Sequence, residues 1–500
     1  MPAPFDMSGI ATDADGIRHY EGMPPNLVQM LRRSVDLVPD RVAVAELGGD
    51  RMTYDRFWQR AARVAGGLRD AGVRPGERVA IRLGNGIDWT LAFFGAQLAQ
   101  AVVVPVNTRF TEDEVDYVIG DSGAVFTFMP GAPLPEGSPV ALDDAGTDDL
   151  AAIFYTSGTT GFPKGAMTTH ENFVSNAESA RRVIGMPRGE ATRTLVSVPL
   201  FHVTGCNSQF LALTQMAGTT VVMPQFEVQA FLRAIQEERI DNLVSVPAIY
   251  WLAINQPNFA DFDLSSVRYL SYGGAPIAPD LVRAIMERFP EARVGNGFGL
   301  TETSSIATYL PHDWAAEHAD SVGFPAPVVD VSLVDVDPRT GVGELLVRGP
   351  NVVKGYWNKP EATRTAFTEG WLHTGDLARI DEEGLVYIVD RAKDMINRGG
   401  ENVYCVEVEN VMAGAPGVFE VAVVAVPDTM MGEKVGAVIV PSPGQNIDVE
   451  AVIAYTRRHL AEFKVPQYVT VRAEALPRNP GGKVLKPVLR TTTQWGDPLR

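Results

Sequence analysis

The sequence predicts a large α/β body, a small antiparallel or barrel-like unit and a compact βαβ-like C-terminal domain. Three observations predict this. Apolar runs alternate with helix-period stretches over most of the first three hundred residues, a pattern that favours largely parallel sheets with helices between them. From about Ser321 short strands sit between Asp, Gly and Pro turns, the texture of a small antiparallel or barrel-like unit. Beyond Arg391 strand and helix patterns alternate again over roughly a hundred residues, an ordinary domain length.

Taken in order, residues 54–71 and 112–120 carry helix periods, and residues 78–83 (RVAIRL), 101–106 (AVVVPV) and 220–223 read as buried strands. Residues 150–154 form another apolar strand that runs into a glycine-rich loop. A helix follows, with Thr168 as its N-cap and Glu171 three residues later completing a capping box. In the second region 343–348 (GELLVR) and 385–389 (LVYIV) are short strands. In the third, 418–426 (VFEVAVVAV) and 436–440 (GAVIV) are strands, and after Ile447 a helical face carries Val449, Val452, Ile453, Leu460 and Phe463. The Gly/Pro-dense stretches are 130–147, a surface loop, and 477–482.

Five hundred residues with 45% hydrophobic content imply several domains' worth of chain at about 150 residues each. The net charge of −18 argues against nucleic acid or an anionic membrane as partner, since both reward clustered Lys and Arg. An anionic substrate must then be held by a local site. Cys206 and Cys405 make neither a disulfide framework nor a metal-ligand spacing, and the seven histidines include no H-E-x-x-H pair. The N-terminal residues lack a signal pattern, and no apolar run reaches the roughly 18–20 residues of a spanning helix. A cytoplasmic protein with no integral membrane segment is expected.

The first chemical signal is residues 154–165, FYTSGTTGFPKG. Glycines let backbone N–H groups turn toward a polyanion, hydroxyls add donors, and Lys164 adds a point charge. A Walker A loop is excluded, because Pro163 stands where that pattern needs glycine.

This loop resembles the signature of the adenylate-forming superfamily, which holds acyl-CoA synthetases, peptide-synthetase adenylation domains and beetle luciferases. Further segments resemble the family's motifs in its order: SYGGAP at 271–276, GFGLTE at 297–302, WLHTGD at 371–376, DRAKD at 390–394 with GGEN at 399–402, and NPGGK at 479–483. The resemblance covers about 150–490. It implies a large N-terminal domain of stacked α/β sheets plus a small β-barrel-like unit over 1–392, a hinge at Lys393, and a small mobile α+β domain over 394–500.

The resemblance also implies site roles. Thr156, Ser157, Gly158, Thr159, Thr160, Gly161 and Lys164 hold the β- and γ-phosphates of ATP, and Thr156 and Glu302 ligate Mg²⁺, a hard cation that prefers oxygen. Gly273, Gly274 and Ala275 let adenine lie against the backbone beside Gly297, Phe298 and Gly299, and Thr301 bonds the α-phosphate. Read without the family, Phe298 is simply a core aromatic. Asp376 grips the ribose hydroxyls, supported by Arg391. Lys483 reaches the carboxylate and α-phosphate during adenylation. After rotation about Lys393, Gly399 and Gly400 line a pantetheine tunnel for coenzyme A. The segment PLFHVTG at 199–205 resembles the acyl-pocket segment of the family, with His202 as gate between acyl site and thiol tunnel.

Phe201-His202 stands where amino-acid-activating relatives have Phe-Asp, which disfavours an α-amino acid. Cys405 replaces a frequent proline, and Asn397 a lysine found in luciferases, which weighs against light emission. The expected activity is ATP- and Mg²⁺-dependent ligation of a fatty, aryl or alicyclic acid to CoA, by a monomer or homodimer. One alternative is an acyl-AMP ligase that loads a carrier-protein pantetheine; the insertion typical of fatty-acyl-AMP ligases is not apparent. A non-catalytic nucleotide or acyl-adenylate sensor is the other, and it would be expected to lack Lys483 or Glu302.

Overall fold

The computed structural model describes residues 4–156, 163–275, 277–442, 444–478 and 484–499. Two sheets make the frame. In the first, strands Val42–Glu46, Thr219–Val222, Arg193–Val196, Asn242–Ser245, Tyr269–Gly273 and Arg293–Phe298 pair in parallel, with antiparallel strands added at both edges. In the second, Phe126–Phe128, Arg78–Ile81, Val102–Pro105 and Leu150–Thr156 pair in parallel, and Lys164–Thr169 closes the edge antiparallel. Central strands such as Val102–Pro105 and Thr219–Val222 are buried on both faces, as parallel strands covered by helices must be.

One continuous core joins the sheets. Helices Leu27–Leu37, Tyr54–Asp70, Ile87–Leu98 and His170–Ile184 contribute to it beside strand residues Val44 and Val222 of one sheet and Val79 and Val103 of the other. Every residue of Ile87–Leu98 except the exposed Asp88 in its first turn is buried, so this helix is covered almost all round where a surface helix would bury only a stripe. Phe57, Trp89, Phe93, Phe94 and Phe210 fill the middle with edge-on and stacked rings.

The capping box lies one residue later than the sequence pattern suggests. The helix is His170–Ile184, Thr169 is its N-cap, and Asn172 supplies the reciprocal bond. Thr168 is one residue further back in strand Lys164–Thr169, paired with Ala152 and fully buried; Thr169, the last residue of that strand, is the one that abuts the helix.

The second region is an antiparallel sheet of Asp330–Val334, Gly343–Arg348, Trp371–Ile380, Phe367–Thr368 and Val386–Arg391. Alternate residues of Gly343–Arg348 are buried, as period-two geometry requires of a sheet with one covered face. The C-terminal region pairs Ile396–Arg398, Glu401–Val403, Val418–Asp428 and Gly432–Pro441 antiparallel, and Tyr468–Val471 joins Gly432–Pro441 in parallel across helix Val449–His459. That helix stops before Leu460 and Phe463, which the sequence placed on its face; both nevertheless pack on the same core, built around Ile396, Val408, Val423 and Ile439. The whole is α/β, with a large N-terminal and a small C-terminal part. Among the described residues no helix is long and apolar enough to cross a membrane.

Candidate active site

The two ends of the glycine-threonine loop are clasped together. Strand Leu150–Thr156 runs in and strand Lys164–Thr169 runs out, with Thr156 opposite Lys164 and Tyr155 opposite Gly165. The Thr156 hydroxyl donates to the Lys164 carbonyl at 3.4 Å. Tyr155 donates through its phenol to Asp121 Oδ2 at 2.7 Å, and Lys359 reaches Asp121 Oδ1 at 3.0 Å. Ser157, Gly158, Thr159, Thr160 and Gly161 lie outside the described residues, as does Lys483.

Glu302 sits on the 3-10 turn Thr301–Thr303, which follows strand Arg293–Phe298. The turn is pinned by the Leu300 N–H, which donates to Thr303 Oγ1 at 2.8 Å. After it the chain turns through Ser304 (φ 54°) and Ser305 (φ 118°), backbone that L-residues seldom adopt. Gly299 is obligatory beside them: a Cβ there would lie 1.3 Å from the Ser305 carbonyl oxygen. Gly273 and Gly297 face each other on adjacent parallel strands, and a Cβ on Gly273 would meet the Gly297 carbonyl at 2.2 Å. These glycines leave a bare backbone surface, with Gly274 and Ala275 exposed at its edge.

That surface borders a cavity of about 60 Å³ whose lining includes Val203, Ser208, Val244, Phe298, Ile306 and Tyr309. Phe298 is half-buried and also packs on a neighbouring core. At the polar end of the cavity the Ser208 and Ser305 hydroxyls are 2.6 Å apart. His202 is at the N-cap of the short turn Val203–Gly205, with its ring 4.9 Å from that of Phe201.

Asp376 and Arg391 come together as the sequence suggested. They are cross-strand partners between Trp371–Ile380 and Val386–Arg391, and Arg391 Nε lies 2.6 Å from Asp376 Oδ1. Asp376 is only 2% exposed, so this pairing offsets the cost of burying its charge. Lys393 is exposed just beyond, and its carbonyl accepts from Arg490 at 3.4 Å. Gly399 and Gly400, with φ 61° and 91°, form the turn of the hairpin Ile396–Arg398/Glu401–Val403. The Gly399 N–H donates to the Met431 carbonyl at 2.8 Å.

Two groups near this machinery were missed by sequence reading. Tyr356 donates to Glu302 Oε1 at 2.7 Å; an aromatic in a Gly-Tyr-Trp run reads as core, and its partner is remote in sequence. Lys486, three residues after Lys483 in the sequence, is half-buried and paired with Glu409 at 2.7 Å. Burial pulls the Lys486 ammonium down, but Glu409, Cys405 and Asp390 around it raise it above the usual lysine value. Asp390 also receives the backbone N–H groups of Arg391 and Cys405, which ties the start of helix Cys405–Ala413 to the last strand before Lys393.

The AMP-binding enzyme family matches over residues 31–145 and 131–357, and the AMP-binding enzyme C-terminal domain over 407–483. The chain belongs to the AMP-binding enzyme family. It is 38% identical to a feruloyl-CoA synthase of an Amycolatopsis species, over 92% of this chain and 97% of that one. It is 37% identical to a long-chain-fatty-acid–CoA ligase of Mycobacterium tuberculosis, over 93% and 98%. Its fold superposes on ATP-bound MatB of Rhodopseudomonas palustris with a TM-score of 0.85 at 32% identity, over 93% and 99%. Within the family the chain falls in the acyl-CoA ligase branch, and it is an enzyme, an acyl-CoA synthetase.

Proposed function

We propose that the protein ligates a fatty, aryl or alicyclic carboxylic acid to coenzyme A in two steps on one site. The acid's carboxylate oxygen first attacks the α-phosphorus of ATP, forming an acyl-adenylate and releasing pyrophosphate. The CoA sulfur then attacks the acyl carbonyl and AMP leaves. The observation that carries this reading is the convergence of Lys164, Glu302 and the clasped loop ends on Tyr356, next to a cavity lined largely by apolar side chains. The feruloyl and long-chain acid names of the two relatives are in keeping with an aryl or fatty acid.

The roles are those that the resemblance to the family implies. Lys164 and the loop residues Ser157, Gly158, Thr159, Thr160 and Gly161 hold the β- and γ-phosphates. Gly273, Gly274, Ala275, Gly297, Phe298 and Gly299 make the adenine wall, and Thr301 meets the α-phosphate. Asp376, kept in place by Arg391, binds the ribose. Lys483 brings positive charge between carboxylate and α-phosphate, where attack by one anion on another needs it. His202 gates the acyl site, and Gly399 and Gly400 line the thiol path once residues 394–500 have turned about Lys393 against residues 1–392. A separate hydrophobic core within the C-terminal region supports that division.

Thr156 and Glu302 suit magnesium. Among the described residues no cluster of three or more His, Cys, Asp or Glu forms a protein cage, and Mg²⁺ commonly takes one or two protein oxygens with the rest from water and phosphates. When bound it neutralises charge on the phosphates. The cytoplasm is the setting we favour, in keeping with Cys206 and Cys405 both being free thiols.

The test is pyrophosphate release by the purified protein across a panel of carboxylic acids, followed by mass detection of thioester with CoA or with a phosphopantetheinylated carrier protein. Acid-dependent release and CoA thioester are expected. Release with thioester only on the carrier selects the acyl-AMP ligase alternative, and no acid-dependent release sinks the proposal.

A further inference from the structure

Residues 353–357 connect the proposed cation carboxylate to the phosphate loop. Along the outgoing strand Lys164–Thr169 this segment adds an antiparallel bridge, Ala166 to Tyr356, flanked by three backbone bonds. Met167 N–H donates to the Gly355 carbonyl at 2.9 Å, Lys354 N–H to the Met167 carbonyl at 3.1 Å, and Trp357 N–H to the Gly165 carbonyl at 2.7 Å. One residue earlier, Val353 N–H donates to the Glu302 carbonyl at 3.0 Å. Trp357 Nε1 and Lys359 reach Asp121, which also receives Tyr155 from the incoming strand. One short segment thus touches both ends of the loop and the Glu302 turn.

Tyr356 is the side chain at the junction. Its hydroxyl donates to Glu302 Oε1 at 2.7 Å, and the Lys164 ammonium stands 5.0 Å over its ring. The ring is held by Phe367, 5.8 Å away edge-on, and the backbone by Thr363 Oγ1, which accepts from Tyr356 N–H at 2.9 Å.

We propose that Tyr356 is a positioning residue that holds the Glu302 carboxylate and the Lys164 ammonium in a fixed relation, so that uptake of Mg²⁺ and of ATP phosphates is coupled through one side chain. This rests on reading Glu302 as the cation carboxylate and Lys164 as a phosphate contact. The phenol restricts the carboxylate's rotation through Oε1, and the ring face attracts the ammonium. Neither effect requires Tyr356 to touch substrate.

The test is calorimetric titration of the full chain with ATP at a series of Mg²⁺ concentrations. Tyr356→Phe keeps the ring and removes the donor. It should raise the Mg²⁺ concentration for half-maximal ATP binding about 10-fold, as expected for a lost charge-assisted bond, with Mg²⁺-free ATP affinity within about 2-fold of the parent. Tyr356→Leu should in addition weaken Mg²⁺-free ATP binding about 2–5-fold through loss of the cation–π contact. In a Glu302→Gln background Tyr356→Phe should add little further shift, because neighbours acting through one another are non-additive. An unshifted Mg²⁺ dependence in Tyr356→Phe beside a shifted one in Glu302→Gln overturns the coupling and leaves the site reading intact. An undiminished shift in the Gln background also overturns it. Unchanged Mg²⁺ dependence in Glu302→Gln itself overturns the site reading and this inference together. A melting temperature matching the parent's confirms that each variant compared is folded.

Discussion

Lys483 is the residue on which the proposed chemistry turns. A unit charge pair about 4 Å apart is worth about 4 kcal/mol at an effective dielectric near 20, roughly three decades of rate. Lys483→Ala should therefore abolish acid-dependent pyrophosphate release while largely sparing thioester formation from pre-made acyl-adenylate, measured as the two half-reactions separately. Equal loss of both would remove the assignment. The motif glycines were legible because their constraint is local: Gly273 and Gly299 stand where any Cβ would strike a carbonyl oxygen. Asp376 and Arg391 were legible as a pair in adjoining motifs, and the sheet makes them cross-strand neighbours. Tyr356 and Lys486 were not, because nothing in a tyrosine or a lysine marks the remote carboxylate it meets.

At the scale of elements, the join between helices Leu27–Leu37 and His170–Ile184 is titratable. The Leu27 N–H donates to His170 Nδ1 at 3.3 Å, which requires that nitrogen to be unprotonated. Burial first of all lowers the His170 pKa to about 4 from an ordinary 6.5. Between those values the unfolded chain takes up a proton that the folded chain refuses, so stability is present above about pH 6.5 and falls as pH drops toward 4. The loss approaches about 3 kcal/mol on reaching the lower value. The expected outcome is that thermal melting falls between pH 7 and pH 5, and falls less in His170→Gln; equal slopes would dismiss the effect. Reading the cap one residue early at Thr168 shows where sequence patterns blur. A strand that runs directly into a helix offers two adjacent threonines, and the residue at which the backbone turns helical, His170, decides that Thr169 caps.

At the scale of the whole molecule, the proposed reading has a chain of charge −18 handle polyanions by placing cations locally. Lys164 belongs to the large part, while Lys393 and Lys483 lie at or beyond the proposed hinge, so on that proposal some of the charge would travel with the C-terminal region. Among the described residues, joints across this boundary include Asp390 with the Cys405 N–H, and Trp251 with Phe419 at 5.2 Å between ring centroids. Proline at 393 would fix φ and stiffen the pivot. Lys393→Pro should slow thioester formation at least about 10-fold more than adenylation, read from single-turnover rates of each half-reaction; an unchanged second step would place the pivot elsewhere. Sequence texture marked the three regions well, because periodicity is a bulk property, whereas the contacts across the joint depend on a few side chains.

The backbone seam between residues 354–357 and strand Lys164–Thr169 also has a consequence for biogenesis. An emerging polypeptide that has released Lys164 still lacks the segment that braces it. Arg391, the partner of Asp376, emerges later still. On the proposed site reading, the nucleotide groove is therefore assembled from distant pieces late in synthesis, and ATP would have little to grip on a nascent chain until most of the N-terminal part has left the ribosome.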